Sequence, residues 1–229
     1  MLRFPRTVLA AGIVLASVAG ASLHAQAPAK MKSSNNLKQL ALAMHLYHDK
    51  FGTFPPATVY GKDGKTPLYS WRVAILPFIE EDRLHKEFKL DEPWDSEHNK
   101  KLLEKMPKVY APVTGKPKEK DTTHYQLFVG GGAMFEDKKK TRFPDITDGT
   151  SNTIMIVEAE EPVQWSKPAD LTYDPKKALP KLGGLFKDGF NAALGDGSVR
   201  FIRNGNDEAL LRALITRSGG EIVDFKKLK

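Results

Sequence analysis

Leu37, Leu40, Ala41, Met44, Tyr47 and His48 recur three and four residues apart, the spacing of one face of an α-helix. Ser33 or Ser34 can cap such a helix and Gly52 can end it, so the pattern predicts a helix over residues 33–50, about 25 Å long. Leu42 and Leu46 widen its apolar face, which implies packing on more than one side. Thr53-Phe54-Pro55-Pro56 cannot continue a helix and should leave extended. Residues 60–67 read as a turn region. The apolar residues of 70–88 predict helix on both sides of Pro77, with a break there. Ser96 opens another helix to Met106, supported by Glu97 with Lys101 and Lys100 with Glu104, and Pro107 ends it.

From Thr122 the period changes to two. Thr123, Tyr125, Leu127 and Val129 alternate with His124, Gln126 and Phe128, which is strand behaviour, and Gly130-Gly131-Gly132 ends the run. Residues 153–158 read as a second strand. Residues 190–194 and 198–202 read as a hairpin around Asp196-Gly197, a pair suited to a two-residue turn with positive φ at both central positions. Asn206 or Asp207 caps a last helix to Arg217 with Leu210, Leu211, Leu214 and Ile215 inward, and residues 221–225 can add a final strand. Helices lead and antiparallel strands follow, which predicts an α+β domain.

The first residues have another character. Arg3 and Arg6 precede an almost wholly apolar run over 8–19, and small residues follow at Ala19-Gly20-Ala21 and Leu23-His24-Ala25. This is the layout of a secretory signal peptide, shorter than the roughly 20 apolar residues of a membrane span; a retained anchor is the alternative. The expected organisation is therefore a signal peptide at 1–25, a polar linker at 26–32 and one globular domain at 33–229. The expected address is periplasmic or extracellular, with no membrane span after signal removal. Hydrophobic residues make up 41% of the chain, enough for a packed core. There is no cysteine, so stability must come from packing and hydrogen bonds. The formal net charge is +7 and falls to +5 without residues 1–25. The basic clusters at 116–120, 138–140 and 226–229 lack an aromatic–basic stripe and read as solvated surface, so nucleic acid is not an expected partner.

Five segments together are similar to one family: NNLKQLALAMHLYHDKFGTFPPA (35–57), SWRVAILPFIEE (70–81), LDEPWDSEHN (90–99), ITDGTSNTIMIVEAEEPVQWSKPADL (146–171) and FNAALGDGSVRFI (190–202). They resemble a large bacterial domain-of-unknown-function family, best known from planctomycetes. Its members look like type II secretion pseudopilins or type IV pilins at the N-terminus and end in a signature of His, nine residues, then Asp-Gly. The resemblance implies a pilin-like architecture, an N-terminal amphipathic helix packed on an antiparallel sheet with additional helices. Two departures stand out. Residues 1–30 contain no acid, so the prepilin glutamate is missing, and Phe186 stands where the signature has His. Asp196, Gly197, Phe186 and His48 therefore read as structural positions rather than chemical ones.

Candidate chemistry is sparse. His45 and His48 lie three apart on the first helix, a spacing that can hold a metal, although His48 lies on the apolar stripe. Asp145, Asp148, Gly149, Ser151 and Asn152 form an oxygen-rich loop that could ligate calcium or build Asx turns. Glu158, Glu160, Glu161, Asp188 and Asp196 read as solvated acids at strand ends. Ser151 lacks a nucleophile elbow, and Trp71, Trp94 and Trp165 read as packing residues. The expectation is an exported, non-enzymatic, pseudopilin-like domain without a cofactor, acting by contact with other envelope or secretion-system proteins. The alternatives are a calcium- or small-ligand-binding domain using loop 145–152 and, third, a carboxylate hydrolase.

Overall fold

The structure, a computed structural model, describes residues 17–114, 120–221 and 223–228, with side chains from residue 26 onward. Most of the expected signal segment lies outside the described residues. The first helix, α1 (Ser17–Phe51), is one continuous rod of 35 residues, about 50 Å long. It runs straight through residues 26–32, expected as a linker, and through Ser33 and Ser34, expected as caps. Ala25, Ala27 and Ala29 are strong helix formers, and Pro28 removes a single backbone donor without ending the helix. Gly52, at φ +73°, closes it as expected and donates its N–H to His48 O at 2.7 Å.

After the Phe54-Pro55-Pro56 exit, β1 (Thr58–Tyr60) and β2 (Pro67–Ser70) form a short antiparallel hairpin across the expected turn. The chain breaks at Pro77 as the pattern predicts. α2 (Trp71–Ala74) precedes a 3-10 turn at Leu76–Phe78, and α3 (Asp82–Glu87) follows. Ser96 caps α4 (Glu97–Lys100), its hydroxyl accepting the Asn99 N–H at 3.2 Å, and the helix tightens into a 3-10 segment to Lys105.

The central sheet has four antiparallel strands in the order β3 (Thr122–Gln126), β5 (Ile154–Gln164), β7 (Gly189–Leu194) and β8 (Val199–Arg203). Two further short strands, β4 (Phe128–Val129) and β6 (Leu171–Thr172), pair in parallel beside it. The single strand expected over 122–129 is thus split at Leu127, whose N–H is taken by the Asp170 carboxylate instead of a neighbouring strand. The expected strand over 153–158 is longer and reaches Gln164. α5 (Glu208–Ile215) is capped by Asp207, which accepts the Ala209 N–H at 2.9 Å. No strand forms among the described residues of 221–225; Phe225–Lys227 is a 3-10 turn capped by Asp224.

Alternation along β7 divides the core. Ala193 faces α1 and packs with Leu37, Leu40, Ala41, Met44, Trp71, Tyr110, Tyr125 and Trp165. Phe190, Ala192 and Leu194 face the other way, onto Leu214 and Ile215 of α5. The architecture is α+β, with the long helix on one face of an antiparallel sheet and a short helix on the other. The widened stripe of α1 is a correction: Leu42 is 59% exposed and Leu46 40%, because the rod packs along a single face.

Candidate functional site

The inward stripe of α1 begins polar and becomes apolar. Lys30, Ser33 and Asn36 precede Leu37 and Leu40 on the same side of the helix, and they meet a carboxylate supplied by the sheet. Glu158 of β5 is fully buried, which corrects its reading as a solvated strand end. Asn191 of β7 donates its backbone N–H to Glu158 Oε2 at 2.6 Å and its side-chain Nδ2 to Oε1 at 3.0 Å. The Ser33 hydroxyl donates to Oε1 as well. With that proton committed, the Tyr125 hydroxyl donates to Ser33 Oγ at 2.8 Å and accepts from Asn36 Nδ2 at 3.3 Å. Burial pushes the Glu158 carboxyl above its ordinary range, while the Ser33 and Asn191 donors, and Lys30 beyond them, pull it down.

Lys30 forms the rim. Its ammonium lies 2.5 Å from Asp188 Oδ2, 4.0 Å from the Phe201 ring centroid and 5.8 Å from that of Phe186. Phe186 is buried and packs edge-on against Phe201 at 6.2 Å. The residue at the signature position is therefore an apolar neighbour of Lys30.

A second polar centre lies under β2 and β3. Arg72 is fully buried and donates to Asp170 Oδ1 at 2.8 Å and to Tyr125 O at 3.0 and 2.8 Å. Asp170 Oδ1 also accepts from Trp71 Nε1 at 3.1 Å and Leu127 N at 2.9 Å. Tyr110 donates to Arg72 O at 2.8 Å and stacks on Trp165, whose indole donates to Leu103 O at 3.0 Å. Burial pushes the Asp170 carboxyl up, and Arg72 opposes that shift.

The Asp196-Gly197 hairpin closes the sheet with a different turn from the expected one. Gly197 N–H returns to Leu194 O at 2.9 Å, and only Gly197 has positive φ, +84°. The loop therefore holds three residues, a tight turn followed by a left-handed glycine. Asp196 Oδ1 accepts the Ser198 N–H at 2.9 Å. His45 Nε2 lies 2.9 Å from Gly195 O, so the hairpin tip is bonded to α1. His48 packs its ring against Phe54 at 4.9 Å and Phe143 at 4.4 Å.

Loop 145–152 uses its oxygens internally. Asp145 accepts from the Arg142 backbone at 2.8 Å and pairs with its guanidinium at 3.3 Å. Asp148 accepts the Gly219 and Gly220 N–H groups at 2.7 and 2.8 Å, and Asn152 Nδ2 donates to Asp148 O at 2.8 Å. Asp145 and Asp148 thus point to separate partners rather than converging. No group of three or more His, Cys, Asp or Glu side chains among the described residues could hold a metal ion.

Sequence reasoning passed over Lys30, Asn191, Arg72 and Asp170, and it took Ser33 for a cap, Glu158 for a solvated acid and His45 for a candidate metal ligand. Two of these carried a signal: Glu158 ends the apolar run Ile154-Met155-Ile156-Val157, and Arg72 sits inside Trp71-Arg72-Val73-Ala74-Ile75. A charge embedded in an apolar run marks a buried, partnered group. The family described as protein of unknown function (DUF1559) matches residues 26–114 and 108–184. No curated protein and no solved structure matches the chain.

Proposed function

The chain belongs to the DUF1559 family of proteins of unknown function, and we propose that it is an exported, non-enzymatic, pseudopilin-like module acting by protein–protein contact in the cell envelope. The observation that carries this reading is α1. Its C-terminal half is bonded into the head, and Lys30 is its first described side chain bonded to the sheet. The rod continues from there back to Ser17. Along it Met31, Leu42, Leu46 and Phe51 are exposed apolar side chains, more than a solvated helix needs. Beside Leu42 a groove of about 650 Å³ runs between Phe78, Ile79, Met106 and Val109.

The non-enzymatic reading draws support from Glu158 and Ser33. They place an acid against a hydroxyl, yet both are fully buried, and a nucleophile must reach its substrate. Export rests on the basic and apolar layout of residues 1–25. Among the described residues no helix is long and apolar enough to cross a membrane.

The test is a photo-crosslinking amino acid at Leu42, with the same group at exposed Lys62 as control, in the full chain expressed in a bacterial host. The expected result is an N-terminally processed protein in the envelope fraction, with a discrete protein adduct from Leu42 and none from Lys62. Retention in the cytosol, or equal yield from both positions, would overturn the reading.

A further inference from the structure

A cleft of about 740 Å³ opens on the other side of the α1 exit, between the loop carrying Lys139, Lys140 and Arg142 and the turn carrying Arg217 and Ser218. Its size suits a small molecule. Its walls are fixed from both sides. Arg217 donates its backbone N–H to Gly132 O at 3.0 Å and its guanidinium to Ala133 O at 2.5 Å. Thr141 holds the opposite wall, its hydroxyl donating to Met134 O at 2.7 Å while its carbonyl accepts Phe54 N–H at 2.8 Å. A surface already rigid loses little entropy when it binds.

The unpaired charge of the lining is one-sided. The two carboxylates in the lining are engaged: Glu136 by the Gly132 N–H at 3.1 Å and Arg217 at 3.4 Å, Asp145 by Arg142. Lys139, Lys140, Thr53, Thr147 and Ser218 line the same space. No side-chain hydrogen bond or ion pair engages them among the described residues. Lys139 and Lys140 are exposed, and they bring unneutralised positive charge to a cleft whose two acids are each paired with an arginine. Two unpaired ammoniums, which donate and cannot accept, beside hydroxyls that can do either, favour a ligand rich in acceptors and negative charge.

We propose that this cleft binds a small multivalent oxyanion group, phosphate, sulfate or carboxylate, carried on a free molecule or on an acidic oligosaccharide. The site is separate from α1's exposed face and does not depend on the pseudopilin-like reading. The cationic wall comes from Lys139 and Lys140, and the hydroxyls supply orientation.

The full chain is titrated calorimetrically with sodium pyrophosphate and, separately, with a sulfated hexasaccharide, at low and at physiological ionic strength. The lysine variant Lys139→Gln/Lys140→Gln is compared with the charge-matched control Lys226→Gln/Lys227→Gln. The expected result is saturable binding of at least one probe, weakened about tenfold or more by the cleft variant and unchanged by the control. Ser218→Ala, which keeps every charge, should weaken it a few-fold. A loss confined to pyrophosphate assigns a free anion, and a loss confined to the hexasaccharide assigns a polymer-borne one. Equal weakening by both lysine pairs would reduce the effect to net charge and overturn the proposal. Absence of saturable binding by either probe would overturn it as well.

Discussion

The two buried polar centres solve the same problem in opposite ways. Asp170 has a full opposite charge, Arg72, at 2.8 Å. Glu158 is met directly by neutral donors, Ser33 and Asn191, with Lys30 farther out. Protonating Asp170 would leave Arg72 as a lone buried cation, so its titration is tied to unfolding. Protonating Glu158 leaves no buried charge, so that proton can be taken up within the fold. A charged pair holds the α2 region to β3 for as long as the fold persists. A lone carboxyl among neutral donors makes the seating of α1 sensitive to pH.

The largest effect should come from splitting the ion pair. Arg72→Met or Asp170→Leu alone should lower stability by about 3–5 kcal/mol, because each strands a buried charge. Urea unfolding of the double variant should show a smaller loss than either single change. Arg72 Nη1 and Asp170 Oδ2 have no protein partner, so the pair is incompletely satisfied and its joint removal is less costly. A double variant worse than both singles would break the comparison.

Glu158→Ala comes next, at about 2–3 kcal/mol, since it strands the Asn191 N–H and the Ser33 hydroxyl. Glu158→Gln sharpens the contrast through its pH dependence. The folded carboxyl is raised above its unfolded value, so the folded state binds more protons between the two. Wild-type stability relative to Glu158→Gln should therefore be highest below about pH 4.3, fall as pH climbs through the raised value, and then level off. A flat difference between pH 4 and 8 would show Glu158 to be unshifted.

Gly197→Ala should cost about 1–2 kcal/mol, because φ +84° is left-handed backbone and a Cβ would stand 3.4 Å from the His45 ring. Thermal unfolding reads it, and His45→Ala in the same background separates strain from contact. The smallest effect is expected from chelation. Adding EGTA should leave the melting temperature unchanged, since Asp145 and Asp148 already have protein partners; a clear drop would revive calcium at loop 145–152.

The course of the main elements could be read from periodicity: the inward stripe at Leu37, Leu40 and Met44, the hairpin at Asp196-Gly197 and the cap at Asp207 all follow local rules. The beginning of α1 could not, because Pro28 and the two serines carry local signals for a boundary. What overrides them is a carboxylate 125 residues away, which takes the Ser33 hydroxyl that would have capped. Asp170 was equally hidden, an acid in a polar, proline-rich stretch whose burial depends on Arg72 arriving from 98 residues upstream. Long-range polar pairing leaves no periodic trace, except where a charge interrupts an apolar run, as Glu158 and Arg72 do.

The position of β7 between β5 and β8 has a practical result for anyone trimming this chain. A fragment ending at residue 184 would retain the rod and the β3–β5 ladder but discard the middle of the sheet. The freed edge of β5, with Ile154, Ile156 and Val157 along it, would be bare backbone beside apolar side chains, a template for intermolecular strand pairing. Autonomous folding therefore requires the chain through Arg203 at least, so that β7 covers that edge and β8, ending at Arg203, pairs with β7 in turn.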